Sequence, residues 1–256
     1  MKISYELNPP KIVRGDKFDP AVLRSEIHSM VERASKLAGL AWGMHLTDSV
    51  LGIPRLSSVT AADHIRQALG TRSPALSCSL RSRDRNFTSL AQAVTDAVLV
   101  GVESVLILMG DKSADGVDGS GIVPTKCVTM LREGGYDHEI KLDLSFPARV
   151  GDCPAKSVRK KLEARPHSFV TQSISSLSDL GEIVDLARPC GIKVAAVVMV
   201  PSEKNRKSAS AIGLDWSAYE KEPVDFIKRA GEMSDRVLIT SPNSFSAGLE
   251  LLRQLS

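Results

Sequence analysis

Apolar residues recur along this chain in runs of strand length: Lys2–Asn8, Ala41–Asp48, Ala75–Ser82, Ser104–Gly110, Glu139–Phe146, Ser168–Ile174, Lys193–Val200 and Arg236–Ser241. Most of the gaps carry helical spacing instead. Pro20–Leu37 sets Val22, Leu23, Ile27, Met30, Val31 and Ala34 on one stripe, and Ser89–Val100 does the same with Leu90, Ala93, Val94, Ala97 and Val98. Asp19-Pro20 supplies a cap and a first helical position, while Ser58 and Asp63 stand early in the second helical stretch. Gly39, Gly70, Gly101, Gly134 and Gly191 fall just after helices, where a left-handed residue closes the last turn. Strand, helix, glycine and strand, repeated eight times, predict an α/β fold: a parallel (β/α)₈ TIM-type barrel, one domain over residues 1–256. A doubly wound open sheet is the alternative. Eight units and the lack of G-x-G-x-x-G after the first strand favour closure.

The alternation within the strands carries the first chemical hint. Ser4, Glu6 and Asn8 share one face of a short first strand that stops at Pro9-Pro10, with Ile3, Tyr5 and Leu7 on the other. On an edge strand that polar face meets water. Inside a closed barrel, whose outer face is buried under helices, it meets the lumen or its mouth. The same alternation gives Gly43, His45 and Thr47; Ser77, Ser79 and Arg81; Ile107, Met109 and Asp111; Lys141, Asp143 and Ser145; Val170 and Gln172. Lys141 and Asp143 read as a buried structural pair. Active sites of such barrels lie at the strands' C-terminal ends, which selects Asn8, Thr47, Asp48, Arg81, Asp111 and Gln172, with Glu6 one layer down. A carboxyl in that mouth is partly desolvated, which raises its pKa and suits it to deliver a proton.

Composition narrows the partners. Lys and Arg number 33 against 30 Asp and Glu, with no basic stretch interleaved with aromatics, so nucleic acid is not the expected partner. No apolar run reaches the roughly 18 residues of a membrane span, and no signal peptide is visible before the first strand. Cys78, Cys127, Cys153 and Cys190 are dispersed and form no C-x-x-C pair, which suits a reducing cytoplasm and argues against zinc.

Five stretches together resemble the methylenetetrahydrofolate reductase family. Tyr5-Glu6-Leu7-Asn8-Pro9-Pro10 is similar to its first-strand E-x-x-P-P. Thr47-Asp48-Ser49 with Gly52-Ile53-Pro54-Arg55-Leu56-Ser57-Ser58 is similar to the loop leaving its second strand, and Arg83-Asp84-Arg85-Asn86 to the R-D-R-N after its third. Leu108-Met109-Gly110-Asp111 resembles the fourth-strand L-x-G-D, and Thr171-Gln172 the sixth-strand glutamine site. The five matches run in order along the chain.

The resemblance implies a TIM barrel of one-carbon metabolism that reduces 5,10-methylenetetrahydrofolate, or a related pterin, with NAD(P)H, by way of FAD. It implies Glu6 as general acid; Asp111 as a second catalytic group; Gln172, Asp111 and Asn8 as substrate ligands; and Thr47, Arg81, Leu108, Met109, Gly110, Asp111, Lys160 and Lys161 around the cofactor. It further implies a homo-oligomer, with or without a partner subunit.

Departures from the family are also plain. Ser79-Leu80-Arg81-Ser82 stands where flavin-binding members read His-Leu-Thr-Cys. Phe146-Pro147-Ala148-Arg149-Val150-Gly151-Asp152 replaces Tyr-Pro-Glu-x-His-Pro-Glu, so the Tyr and His that flank FAD are not both present, and weak FAD binding is expected. Lys160 and Lys161 fit either a cofactor diphosphate or a solvated basic helix face with Arg159 and Arg165. Three other functional classes compete. A Schiff-base aldolase needs a lysine at a strand's upper end, whereas Lys2, Lys141 and Lys193 lie near strand starts. A metal hydrolase needs ligands at strand tops, whereas His28, His64, His138 and His167 fall on helices or strand starts. The third is a pterin- or flavin-binding subunit with no activity alone. Ser202–Pro223, rich in Lys and Ser, reads as a mobile loop over the mouth.

Overall fold

A computed structural model of the chain describes residues 1–14, 17–112 and 121–256. Eight parallel strands close a barrel: β1 (Ile3–Leu7), β4 (Gly43–Leu46), β5 (Ala75–Arg81), β6 (Ser104–Leu108), β7 (Lys141–Phe146), β8 (Ser168–Ser173), β9 (Lys193–Met199) and β10 (Arg236–Thr240). β2 (Val13–Arg14) and β3 (Lys17–Phe18) pair antiparallel in a small two-stranded sheet after β1. The helices are α1 (Pro20–Leu37), α2 (Ser58–Leu69), α3 (Phe87–Val100), α4 (Pro124–Glu133), α5 (Ala155–Glu163), α6 (Leu177–Ala187), α7 (Arg206–Ala211), α8 (Pro223–Met233) and α9 (Phe245–Leu255). Among the described residues, no helix is long and apolar enough to cross a membrane.

Packing divides the chain into two compact units. The first holds Met1–Glu6, Leu40–Gly43 and Asp143–Ser256; the second holds Leu7–Gly39 and Met44–Leu142. In the first unit, the outer residues of β9 and β10 (Val194, Ala196, Val198, Val237 and Ile239) are buried beside α6 and α8. Tyr5 faces outward too, edge-on to Phe245 with ring centroids 5.9 Å apart. α9 passes so close that a Cβ on Gly248 would lie 2.1 Å from the Tyr5 hydroxyl oxygen, and only glycine leaves that room. In the second unit, Leu76, Cys78, Leu80, Val105 and Ile107 form the buried outer face, covered by α2, α3 and α4. Burying each Leu, Ile or Val among them contributes about 1.5–3 kcal/mol, which is why continuous apolar runs settle as parallel strands.

Local signals explain several helix ends. Asp19 accepts the Ala21 and Val22 N–H groups at 2.8 and 3.2 Å, with Pro20 opening α1. Ser58 does not cap α2, because its hydroxyl donates to the Ser79 carbonyl at 2.7 Å. After α4 the left-handed residue is Gly135 (φ 79°), not the predicted Gly134. Ser202–Pro223 contains α7 and three buried anchors, Asn205, Trp216 and Tyr219, so the expected mobile loop is a structured crossover. The Tyr219 hydroxyl donates to the Met199 carbonyl at 3.1 Å.

Candidate active site

Strand register fixes which side chains share the inner face. In the first unit Ser4 pairs with Leu238, and Arg236, Leu238 and Thr240 pair with Ala195, Val197 and Met199. Glu6 continues that face two residues beyond Ser4 and is half-buried. The Thr240 hydroxyl donates to Glu6 Oε1 at 2.7 Å. Sequence reading missed Thr240, although the alternation Arg236, Leu238, Thr240 marks it. Lower on the inner face, Asp143 accepts the Ser168 hydroxyl at 2.6 Å and lies 3.8 Å from Arg236. The expected Lys141–Asp143 pair does not form. Lys141 is exposed and ion-paired with Glu103 in the second unit, because it opens β7 at the solvated end.

Gln172 stands at an irregularity. β8 and β9 pair normally as far as Val170–Ala195 and resume at Ser173–Val197, so β8 carries one extra residue there, a bulge. The Thr171 hydroxyl oxygen accepts the Val197 N–H at 3.0 Å in place of a ladder carbonyl. Gln172, beside it, is exposed, with its amide available to a ligand. On α5 the two lysines diverge. Lys160 is exposed, whereas Lys161 is half-buried and its Nζ donates to the Ser145 carbonyl at 2.5 Å. Burial lowers the Lys161 pKa.

The second unit's strand ends form a closed network. The Thr47 hydroxyl donates to Asn8 Oδ1 at 2.7 Å, so a residue expected at the cofactor and one expected at the substrate bond to each other. Asp48 Oδ2 accepts the Arg81 N–H at 3.0 Å and Arg85 Nη1 at 2.5 Å. The Arg81 guanidinium, only 2% exposed as a residue, donates to Asp84 Oδ1 at 3.1 Å, to the Asp111 carbonyl at 3.0 Å and to the Ser49 carbonyl at 3.4 Å. The exposed Asp111 carboxylate accepts the Leu51 N–H at 2.7 Å, holding a turn in which Ser49 and Leu51 both have positive φ (45° and 58°). Below this network His45 lies between Ser77 and Ser79, with Nδ1 and Nε2 at 2.9 and 2.8 Å from the two hydroxyls.

On β6 the inner face differs from the one expected. β5 pairs Ser79 with Leu106 and Leu80 with Ile107, so Leu106 and Leu108 share the side of Ser79 and Arg81, while Ile107 faces the helices. The run Val105-Leu106-Ile107-Leu108 is apolar on both faces and gave alternation nothing to read. Met109 is exposed beyond the strand.

Does this cluster fit the FAD that the family resemblance implies? Leu108, Met109 and Gly110 turn their carbonyls to Ser82 N (2.8 Å), Arg83 N (3.1 Å) and Arg83 Nε (3.0 Å). Gly110 (φ 81°) has the open face that lets a ring approach the backbone, but Arg81 already fills it. A Cβ there would lie 3.0 Å from Arg81 Cβ and 3.3 Å from its Nε. The residues present do not fit a flavin ring at Gly110. Among the described residues, no three His, Cys, Asp or Glu side chains are grouped to hold a metal ion.

The barrel's class rests on its geometry and on solved structures. No protein-family model matches the chain, and no curated relative does. Similar structures include deoxyribose phosphate aldolase from Aeropyrum pernix, with 10% identity, a TM-score of 0.59, and 100% of this chain and 91% of that one covered. The tryptophan synthase complex from Pyrococcus furiosus gives 10% identity, a TM-score of 0.58, and 99% and 96% coverage. A 3-hexulose-6-phosphate synthase gives 10%, 0.53, and full coverage of both chains. At such identities the likeness establishes the (β/α)₈ fold and nothing about the reaction.

Proposed function

We propose that this protein is an oxidoreductase resembling methylenetetrahydrofolate reductase, reducing the methylene group of 5,10-methylenetetrahydrofolate or a related pterin with NAD(P)H. The observation that supports the reading best is Glu6 at the C-terminal end of β1, half-buried on the inner face with its carboxyl bonded to the Thr240 hydroxyl at 2.7 Å. A hydroxyl both donates and accepts, so Thr240 holds the carboxyl in place before and after it gives up a proton. Protonation of the substrate's N10 breaks its bond to the methylene carbon and leaves an iminium on N5. A hydride from NAD(P)H then converts the methylene carbon to methyl, and the nicotinamide leaves oxidised. Gln172, exposed at the β8 bulge, offers a paired donor and acceptor to the pterin edge.

Schiff-base chemistry of the aldolase kind has less support. Lys141 and Lys193 stand exposed at the first residues of β7 and β9, and Lys2 precedes β1, its Nζ 4.8 Å from the Trp42 ring. All three are at the strand ends opposite to those where such barrels work. Incubating the purified protein with NAD(P)H and 5,10-methylenetetrahydrofolate, and identifying the folate product by mass, tests the proposal. Formation of the 5-methyl product supports it. Nicotinamide oxidation that ignores the folate, or no reduction of any methylene pterin, refutes it.

A further inference from the structure

The most heavily bonded side chain at the second unit's strand ends is also the one that departs from the flavin-binding pattern. In the resemblance to methylenetetrahydrofolate reductases, Arg81 falls at the threonine of the flavin-binding pattern His-Leu-Thr-Cys. Its guanidinium takes up the Asp84 carboxylate and the Ser49 and Asp111 carbonyls, joining the segments that follow β4, β5 and β6. Its stem lies against Gly110, where an added Cβ would meet Arg81 Cβ at 3.0 Å, Nε at 3.3 Å and Cδ at 3.6 Å. After β5, a Cβ on Gly121 would lie 2.0 Å from the Arg83 carbonyl oxygen and 2.1 Å from that of Ser82, so Gly121 packs directly on that backbone. Moving Arg81 aside would take the cation from the Asp84 carboxylate and the donor from the Ser49 and Asp111 carbonyls, and would expose a guanidinium that is buried now.

We infer that Arg81 is a plug that replaces a flavin ring at Gly110, and that the methylene carbon receives its hydride directly from the nicotinamide. The inference rests on the reductase reading for its chemistry but not for its geometry. The step balances without a further redox group: the iminium carbon gains a hydrogen nucleus with two electrons, NAD(P)H becomes NAD(P)⁺, and N10 keeps the proton it received. A direct transfer has an isotopic signature. Hydrogen carried on a reduced flavin's N5 exchanges with water, whereas hydrogen passed from carbon to carbon does not.

Two measurements decide the matter. FAD is titrated into the purified wild-type protein and into Arg81→Thr, followed by quenching of flavin fluorescence. NAD(P)H dideuterated at C4 is supplied with methylene substrate in ordinary water, and the methyl product is weighed. The expected results are no saturable FAD binding by wild type, binding at least about tenfold tighter by Arg81→Thr, and one deuterium retained in every methyl group. Wild type that binds FAD as tightly as the variant, or a methyl group whose label has been lost to water, overturns the plug. If Arg81→Thr does not fold, wild-type titration and label retention still decide. If no methylene pterin is reduced, the reductase reading falls and the FAD titration alone judges Arg81.

Discussion

The two units treat carboxylates at their strand ends in opposite ways. In the second, Asp48 and Asp84 accept guanidinium groups and Asp111 accepts a backbone N–H, so each joins loops together. In the first, Glu6 accepts a threonine hydroxyl, and the neighbouring polar feature, Gln172, is exposed at a bulge. A carboxylate bound into an ion-pair network stabilises structure, because releasing it leaves buried cations unpaired. A carboxyl held by a hydroxyl keeps its orientation through a change of protonation. The lesson is that residue type and strand-end position do not by themselves separate structural from chemical carboxylates. For Asp48 and Asp84, the guanidinium partners mark a structural role.

Substitutions should separate the units along that line. Glu6→Gln keeps the shape and the Thr240 bond but has no proton to give. Methylene reduction is expected to fall by ~10²–10⁴-fold with the unfolding midpoint unchanged, read by single-turnover kinetics beside a urea melt. Activity close to wild type would place the acid elsewhere. Asp48→Ala works in the other direction. It strips the Arg81 N–H and Arg85 of their acceptor and is expected to cost about 1–3 kcal/mol of stability, seen as a lower urea midpoint; an unchanged midpoint would remove the structural role given to the network.

Smaller effects sharpen the contrast. Gly248→Ala pushes a methyl into the Tyr5 ring, 2.1 Å from its hydroxyl oxygen and 2.7 Å from Cε2. Overpacking of this kind costs about 1–3 kcal/mol, and because Tyr5 precedes Glu6, the variant should also lose some reduction rate. A variant as stable as wild type would show that α9 can move away. The cysteines report burial by unit. Burial pushes the Cys78 and Cys127 thiols up to about 12, and both lie in the second unit. Cys153 and Cys190, in the first, are half-buried and exposed. Iodoacetamide at mildly alkaline pH should label Cys190 first and leave Cys78 and Cys127 unmodified until the protein is denatured, a pattern that peptide mass mapping reads directly.

Much of this architecture was legible in the chain. The eight strands and the bounds of α1 followed from periodicity, because parallel strands and amphipathic helices impress their repeats on local sequence. Glu6 was placed on the inner face by the alternation Ser4, Glu6, Asn8 against two prolines. What could not be read was long-range. The β6 register needed its partner strand, since an all-apolar run shows no preferred face. Lys141 looked buried by alternation but lies at the solvated end of β7, where Glu103 waits. Arg81 ends β5, yet nothing local shows that its side chain fills the space above Gly110, nor that residues 202–223 are pinned by Trp216 and Tyr219.

The central claim is that the proton for ring opening comes from the first unit's Glu6, and the pH dependence of methylene reduction tests it most directly. A general acid must be protonated to act, so the wild-type rate measured at saturating substrate should decline as pH rises through the carboxyl's ionisation. In Glu6→Gln that decline should vanish, leaving a slow rate that is level over the same range. An unaltered pH profile in Glu6→Gln, whatever its absolute rate, would contradict the account.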